Sequence, residues 1–338
     1  MRIKEFSPFG YRRDGARSDA GRAASAEGKG HYRVDGPALM DRIVECVPNF
    51  SEGRRKEVVD AIADAGRSVA GVKVLDVEMD ANHNRSVITL VGGPDAAKEA
   101  AFRMAAKAVG LIDLNVHRGE HPRIGALDVC PFIPIRGVAM DECVRLAREL
   151  GKRLADELGV PVYLYEAAAT RPDRKALPDI RKGQYEGLKV EIETNPDRAP
   201  DFGPRRLHPT AGASVVGARP PLIAYNVNLG TTDVKVAKAI AKLVREKDGG
   251  LPAVRALGFE LKDRGLVQVS MNLVDYKVTS IAAAFDAVCR HAAERNVPVV
   301  ASEIVGLVPE DSLPPNPVER LRLENFDPRQ VLETRLAA

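Results

Sequence analysis

Leu222-Ile223-Ala224-Tyr225-Asn226-Val227-Asn228 reads as a β-strand, and the elements that follow it decide the fold. Thr232 to Glu246 has helical spacing, Val254 to Leu261 and Leu266 to Leu273 are two more strands, Thr279 to Arg295 is a second helix, and Val299 to Ile304 closes the series as a strand. The order β-α-β-β-α-β is the split pattern of a ferredoxin-like sandwich.

Working toward the N-terminus, the same order recurs. Ile43 to Val47 is a strand; Ser51 and Glu52 open a helix whose apolar positions Val58, Val59, Ile62 and Ala65 share one face. Val72 to Val77 and Ser86 to Val91 are strands joined by the polar loop Asp80-Ala81-Asn82-His83-Asn84. Gly92-Gly93-Pro94-Asp95 then ends the strand and starts a helix to about Val109. Leu127 to Ile135 is the next strand, followed by a helix over Asp141 to Leu158 and a strand over Val162 to Tyr165. The expected fold class is therefore α/β (α+β): two ferredoxin-like α/β sandwich subdomains, at 40–219 and 220–310, with a C-terminal tail at 311–338. Thr170 to Arg219 contains six prolines and little periodicity, which predicts a long irregular connector. Long loops in compact enzymes often carry function, so a cleft between the two sheets, supplied by the 112–126 loop and this connector, is the expected ligand site.

Composition narrows the function classes. A chain of 338 residues is long enough for two cores, and it has no tract of eighteen apolar residues to span a membrane. Cys46, Cys130, Cys143 and Cys289 lie far apart without CxxC spacing, which argues against a zinc ribbon or a disulfide framework. With no apolar signal region, a cytoplasmic location is expected. The net charge of +3 belongs to residues 1–39, which hold eight basic and five acidic residues; 42 of each sign remain in 40–338. Such a balanced body does not recommend a nucleic-acid partner. Residues 1–39, poor in apolar residues and without periodicity, are expected to be disordered, and the abrupt start of the pattern at Met40 also fits translation beginning there.

Chemistry concentrates in Leu114-Asn115-Val116-His117-Arg118-Gly119-Glu120-His121-Pro122-Arg123-Ile124-Gly125-Ala126-Leu127-Asp128, where histidines, carboxylates and arginines crowd between a helix and a strand. Taken alone the run also reads as a solvated charged loop. His117-Arg118-Gly119-Glu120-His121 matches the H-x-x-E-H pattern of zinc peptidases, which requires both imidazoles on one helical face. Gly119 weakens a helix there and Pro122 restrains His121 away from helical geometry, so no metal is expected. No GxGxxG or P-loop spacing is present, which shifts weight to acid–base group transfer.

Five runs spread over both halves carry a family resemblance. They are Val44-Glu45-Cys46-Val47-Pro48-Asn49-Phe50-Ser51-Glu52-Gly53, His117 to Cys130 with Pro131-Phe132-Ile133-Pro134, Asp201-Phe202-Gly203-Pro204, Ala224-Tyr225-Asn226-Val227-Asn228-Leu229, and Val305-Gly306-Leu307-Val308-Pro309. In these runs, from about Ile43 to Pro309, the chain resembles the formiminotransferase family, the glutamate formimidoyltransferases of histidine breakdown. The resemblance implies two similar α/β subdomains, a homodimer, tetrahydrofolate held in the cleft between them as co-substrate, and N-formimino-L-glutamate as group donor. The family's Glu-His-Pro-Arg run puts the catalytic histidine on His121. Its folate-contacting loop falls on Gly203, Pro204, Arg205, Arg206, Leu207, His208, Pro209, Thr210, Ala211 and Gly212, with a shorter contact on Gly249, Gly250 and Leu251. Ala211 stands where animal members carry Trp, so stacking on the pterin from that position is lost or supplied elsewhere. The resemblance is to the monofunctional members, so the cyclodeaminase domain fused to the animal enzymes is not expected here.

Within that frame, Glu120 and Asp128 are the candidates to orient His121, against simple ion pairing with Arg118 or Arg123. Asn84, Arg85 and Arg123 are the candidates for the glutamate moiety, because guanidinium binds carboxylate through two parallel hydrogen bonds. Arg205, Arg206 and His208 are candidates for the anionic tail of the folate. Arg136 and Arg219 read as packing or surface residues, and His83 and His291 as a turn residue and a helix-end cation. Related readings keep the scaffold but use formimino-glycine, or exchange a formyl group between 5-formyltetrahydrofolate and glutamate. The readings of a different class are a zinc hydrolase and a non-catalytic folate-binding protein.

Overall fold

The computed structural model describes residues 42–337, so the disorder expected of 1–39 lies outside the described residues. The first sheet is built from β1 (Ile43–Cys46), β2 (Asn49–Phe50), β3 (Val72–Asp80), β4 (Arg85–Gly92), β5 (Leu127–Arg136), β6 (Val162–Glu166) and β7 (Ser214–Ala218). β1 and β2 are one strand interrupted at Val47-Pro48, and both halves pair with β4 on one side and β5 on the other. Pro48 has no N–H to give to a ladder, which accounts for the break. From the β3 edge the order runs β3, β4, β1/β2, β5, β7, β6; the β5–β7 and β7–β6 pairings are parallel and the rest antiparallel.

Helices α1 (Lys56–Arg67), α2 (Pro94–Leu111) and α3 (Met140–Leu158) cover one face of this sheet. Ile62, Met104, Leu146 and Leu150 pack there against Phe50, Ile88, Leu90 and Phe132, all essentially inaccessible to water. Side chains alternate between the faces of a strand, so Ser86, Ile88 and Leu90 point to the helices while Arg85 and Val91 point away.

The second sheet contains β8 (Ile223–Leu229), β9 (Val254–Leu261), β10 (Leu266–Leu273) and β11 (Val299–Val305), in the order β11, β8, β10, β9, all antiparallel. Numbered within the unit this is 4-1-3-2, and β5, β1/β2, β4, β3 repeat that order in the first sheet. α6 (Val234–Val244) and α7 (Ile281–Ala293) cover one face, where Ile240, Phe285 and Val288 meet Tyr225, Val227, Val269 and Met271. The α/β class with two ferredoxin-like sheets is thus as the sequence pattern implies.

Three local expectations need correction. α1 begins at Lys56 rather than at Glu52, because Ser51 Oγ donates across the sheet to Gly125 O (2.7 Å) while Glu52 Oε1 accepts the Arg54 and Arg55 N–H groups (2.8 and 2.9 Å). The connector is far from irregular: it holds α4 (Leu177–Ile180), α5 (Gln184–Glu191) and β7. Ile180, Leu188 and Ile192 from it cover the second face of the sheet over Val129, Tyr163, Tyr165 and Val215. Its prolines start short helical turns, as at Pro172, Pro178 and Pro196, which periodicity over longer windows does not register. Finally, the segment from 311 is built into the body. α8 (Pro317–Leu321) and α9 (Leu332–Ala337) place Leu321 and Leu323 in the second core and Leu332 against Ile43, Leu75 and Val91.

Candidate active site

The 114–126 loop crosses the second face of the first sheet, and its conformation is set by neighbours more than by itself. Residues 117–121 are not helical, and His117 uses both ring nitrogens: Nδ1 accepts from Arg123 Nε (3.2 Å), so Nε2 carries the proton donated to the Asn84 carbonyl (2.9 Å). His117 and His121 therefore lack the shared helical face that the zinc pattern demands. Burial, with the nearby Arg123 charge, lowers the His117 pKa against the Asn84 bond, and the ring is held neutral.

Asn84 adopts a left-handed backbone (φ 50°), which Asn tolerates better than most residues. Its Oδ1 accepts from Gly53 N (3.0 Å) and its Nδ2 donates to Arg118 O (2.9 Å), so the side chain is spent on tying three loops together. Arg123 is likewise committed, forming a fork on Glu186 (2.8 and 2.7 Å) that anchors α5 beneath the loop. Glu120 is exposed, with its N–H on Asn82 O (3.3 Å).

His121 has a different environment. Its side chain is only 17% exposed, and Nε2, 3.9 Å from Asp128 Oδ2, has no hydrogen-bond partner among the described residues. Asp128 is itself held by Ile124 N (2.8 Å) and by an ion pair with Arg181. Arg85, bonded to Asn49, is the other cation nearby. The Nε atoms of Arg85 and Arg181 are also buried without partners among the described residues. Burial, then the charges of Arg85, Arg181 and His83, pull the His121 pKa down to about 3, with Asp80 opposing. The His83 ring lies 6.4 Å from the His121 ring and is held by Asp80 (2.7 Å).

Arg181 and Asp80 are members that the sequence did not single out, and His83, read there as a turn residue, joins them. Arg181 sits in the Pro-rich connector, where no local pattern distinguishes it; only the buried Asp128 reveals its direction. The structure thus brings together His121, Asp128 and Arg85 from the sequence candidates, and leaves Asn84, Arg123 and Glu120 outside that cluster.

The 203–212 loop packs directly on the motif run. Leu114 N donates to Thr210 O (2.8 Å), Ala126 N to Ala211 O (2.8 Å) and Asn115 Nδ2 to Pro209 O (2.8 Å). His208 Nδ1 accepts from Ala211 N (3.0 Å), closing the loop on itself, and burial lowers its pKa. Ala211 is buried in the first core, while Gly203, Arg205, Arg206 and Pro209 are exposed and Pro204, Leu207 and Thr210 partly so. Gly212 (φ 71°) approaches Ile124 so closely that a Cβ would stand 2.3 Å from its carbonyl oxygen. Gly249, Gly250 and Leu251 lie past the end of α6, and their N–H bonds run to Glu246, Arg245 and Val244.

Comparison with known proteins identifies the family. Residues 43–219 match the formiminotransferase domain, N-terminal subdomain, and residues 224–315 match the formiminotransferase domain. The chain is 53% identical over 296 residues to a glutamate formimidoyltransferase of Thermoplasma acidophilum, covering 87% of this chain and 97% of that one. It is 45% identical over 298 residues to one of Streptococcus pyogenes, covering 88% and 99%. A formimidoyltransferase-cyclodeaminase of Sus scrofa is 49% identical over 81% of this chain, which spans 51% of that longer protein. Matching both subdomains and nearly the full length of the shorter relatives, the chain belongs to the formiminotransferase family.

Proposed function

We propose that the protein transfers the formimino group of N-formimino-L-glutamate to N5 of tetrahydrofolate, giving 5-formiminotetrahydrofolate and L-glutamate, a step of histidine breakdown. The observation that carries this reading is the convergence of an unspent imidazole, His121, with two partly buried arginines, Arg85 and Arg181, whose Nε atoms are buried and also without partners among the described residues. An arginine pair suits a donor bearing two carboxylates. Formimino-glycine has only one, so this chemistry favours the glutamate derivative.

Neutral His121 enters the reaction as a base. N5 adds to the amidine carbon, a tetrahedral intermediate forms, and the imidazole takes the proton that N5 releases. It then returns that proton to the glutamate nitrogen, which leaves as an amine. A donor carboxylate beside Arg85 and Arg181 offsets the charges that depress the imidazole, raising its pKa toward the range where both proton transfers are efficient. Positioning of two substrates contributes at least as much as the proton transfers. Asp128 acts through Arg181, holding the guanidinium beside His121.

The folate is assigned to the cleft bordered by the 203–212 loop, with Gly249, Gly250 and Leu251 as a second contact. The same reading carries a homodimer in a cytoplasmic setting, which sedimentation at twice the chain mass would support. The subdomain limits proposed with this reading are 40–219 and 220–310; the regions matched lie at 43–219 and 224–315. Formation of 5-formiminotetrahydrofolate from formimino-glutamate and tetrahydrofolate is the test. No product with that pair, but product with formimino-glycine or with 5-formyltetrahydrofolate and glutamate, would overturn the choice of donor.

A further inference from the structure

The face of the second sheet that α6 and α7 leave uncovered is unusual in its chemistry. Tyr225, Val227 and Leu229 point into the helix-covered core, so Asn226 and Asn228 point the other way. There they meet Gln268 from β10 and Glu303 from β11. Asn226 Nδ2 and Gln268 Nε2 both donate to Glu303 Oε1 (2.9 and 3.0 Å), Gln268 Nε2 also donates to Asn228 Oδ1 (2.9 Å), and Asn228 Nδ2 donates to Glu324 Oε1 (2.8 Å). Arg264 neutralises Glu324 with a fork (2.7 and 2.9 Å), whereas Glu303 has no salt bridge among the described residues.

Each amide nitrogen named here donates within this network, and Gln268 Nε2 uses both of its N–H groups. The acceptors are not all used: Glu303 Oε2, Gln268 Oε1 and Asn226 Oδ1 receive nothing among the described residues. Yet Gln268 and Asn226 are only 8% and 9% exposed, so this is a recessed surface rather than a solvated one. Beside it in register stand two apolar side chains open to solvent, Phe259 opposite Gln268 and Leu257 opposite Ser270.

This face is turned toward the first half of the molecule. Arg255, on the same side of β9, donates to Glu166 at the end of β6 (3.2 Å), and a Cβ added to Gly306, just past β11, would stand 4.0 Å from Glu78 Oε1. Glu78 in turn lies within electrostatic reach of Arg85, the neighbour of His121.

A recessed group of acceptors around one unpaired carboxylate selects a ligand edge with adjacent N–H donors, and rejects anions. The 2-amino-4-oxopyrimidine edge of a pterin presents such a pair, N3–H and the 2-amino group, at the spacing of a carboxylate's two oxygens. We propose that Glu303, oriented by Asn226 and Gln268, binds the aminopyrimidinone edge of the folate co-substrate, with Leu257 and Phe259 as an apolar border. This rests on the proposed use of tetrahydrofolate and adds the residue that recognises its ring.

Calorimetric titration with 5-formyltetrahydrofolate and with p-aminobenzoyl-glutamate, which lacks the pterin, tests it. Glu303→Gln should weaken 5-formyltetrahydrofolate by about 10- to 100-fold, the worth of a charge-assisted pair, and leave p-aminobenzoyl-glutamate unchanged. The wild-type chain should lose a comparable factor when offered the analogue without the 2-amino group, a measurement that needs no folded variant. Wild-type-like affinity of Glu303→Gln for 5-formyltetrahydrofolate, or wild-type indifference to the missing 2-amino group, overturns the assignment of Glu303 alone. A wild-type chain that binds no tetrahydrofolate derivative overturns the folate reading, and this assignment with it.

Discussion

At the scale of single residues the chemistry rests on how the surroundings set two side chains. His121→Ala should lower kcat by about 10²- to 10⁴-fold, the usual worth of a positioned acid–base group, with folate affinity retained in the same titrations. The depressed pKa of His121 also has a consequence for stability. Its folded value of about 3 lies below the ordinary value of 6.5, so unfolding takes up a proton between those limits. The neutral ring's stabilising contribution is therefore complete above pH 6.5 and is lost as pH falls toward 3. His121→Gln should flatten the wild-type stability slope there by up to about 1.4 kcal/mol per pH unit, read from urea unfolding at successive pH values. For Arg181 the matching change is Arg181→Lys, which keeps a charge for buried Asp128 but loses the planar fork. The expected result is a KM for formimino-glutamate raised about 10-fold, the worth of one charge-assisted hydrogen bond, with KM for tetrahydrofolate unchanged.

The elements show why some of this was legible in the sequence and some was not. His121 stood out because its run concentrates titratable residues between Gly and Pro, and the periodic strands and helices of both halves follow from apolar spacing. Arg123 looked as available as Arg85, since nothing local distinguishes them; the difference lies in Glu186, on a helix 63 residues away. The connector hid α5 and β7 for a similar reason. Its short elements are stabilised by packing over Val129 and Tyr163 rather than by a pattern of their own. At this scale one substitution separates positioning from binding and another tests the backbone of the 203–212 loop. Arg123→Met removes the bond to His117 Nδ1 and the tie to Glu186, so it should lower kcat by loosening the Asn84–Arg85 strand end while leaving KM for formimino-glutamate near wild type. A KM effect confined to formimino-glutamate would instead restore Arg123 as a substrate ligand. Gly212→Ala meets both a positive φ and the Ile124 carbonyl, and should cost about 2 kcal/mol or more in urea unfolding.

Across the whole molecule the two halves are joined by more than the connector, and one buried acid reports on the joint. Glu45 lies on β1, is 8% exposed, and sits near Arg219 at the end of the connector and Glu333 on α9. Burial pushes its pKa from 4.5 up to about 7, against the pull of Arg219 and with the push of Glu333. The sign is opposite to that of His121: the native chain keeps a proton that the unfolded chain releases, so this residue's contribution to stability falls as pH rises from 4.5 through 7. Between 4.5 and 6.5 the two residues therefore oppose each other, and a flat wild-type profile there would conceal both. Glu45→Gln removes one side of the balance. Relative to wild type, its stability should improve steadily from pH 4.5 and level off above 7, by a few kcal/mol at most, since one pKa unit is worth about 1.4 kcal/mol. Because Glu333 contributes to the shift from the far end of the chain, Glu333→Gln should narrow that gap. An unchanged gap would mean that α9 does not sit over β1 in solution.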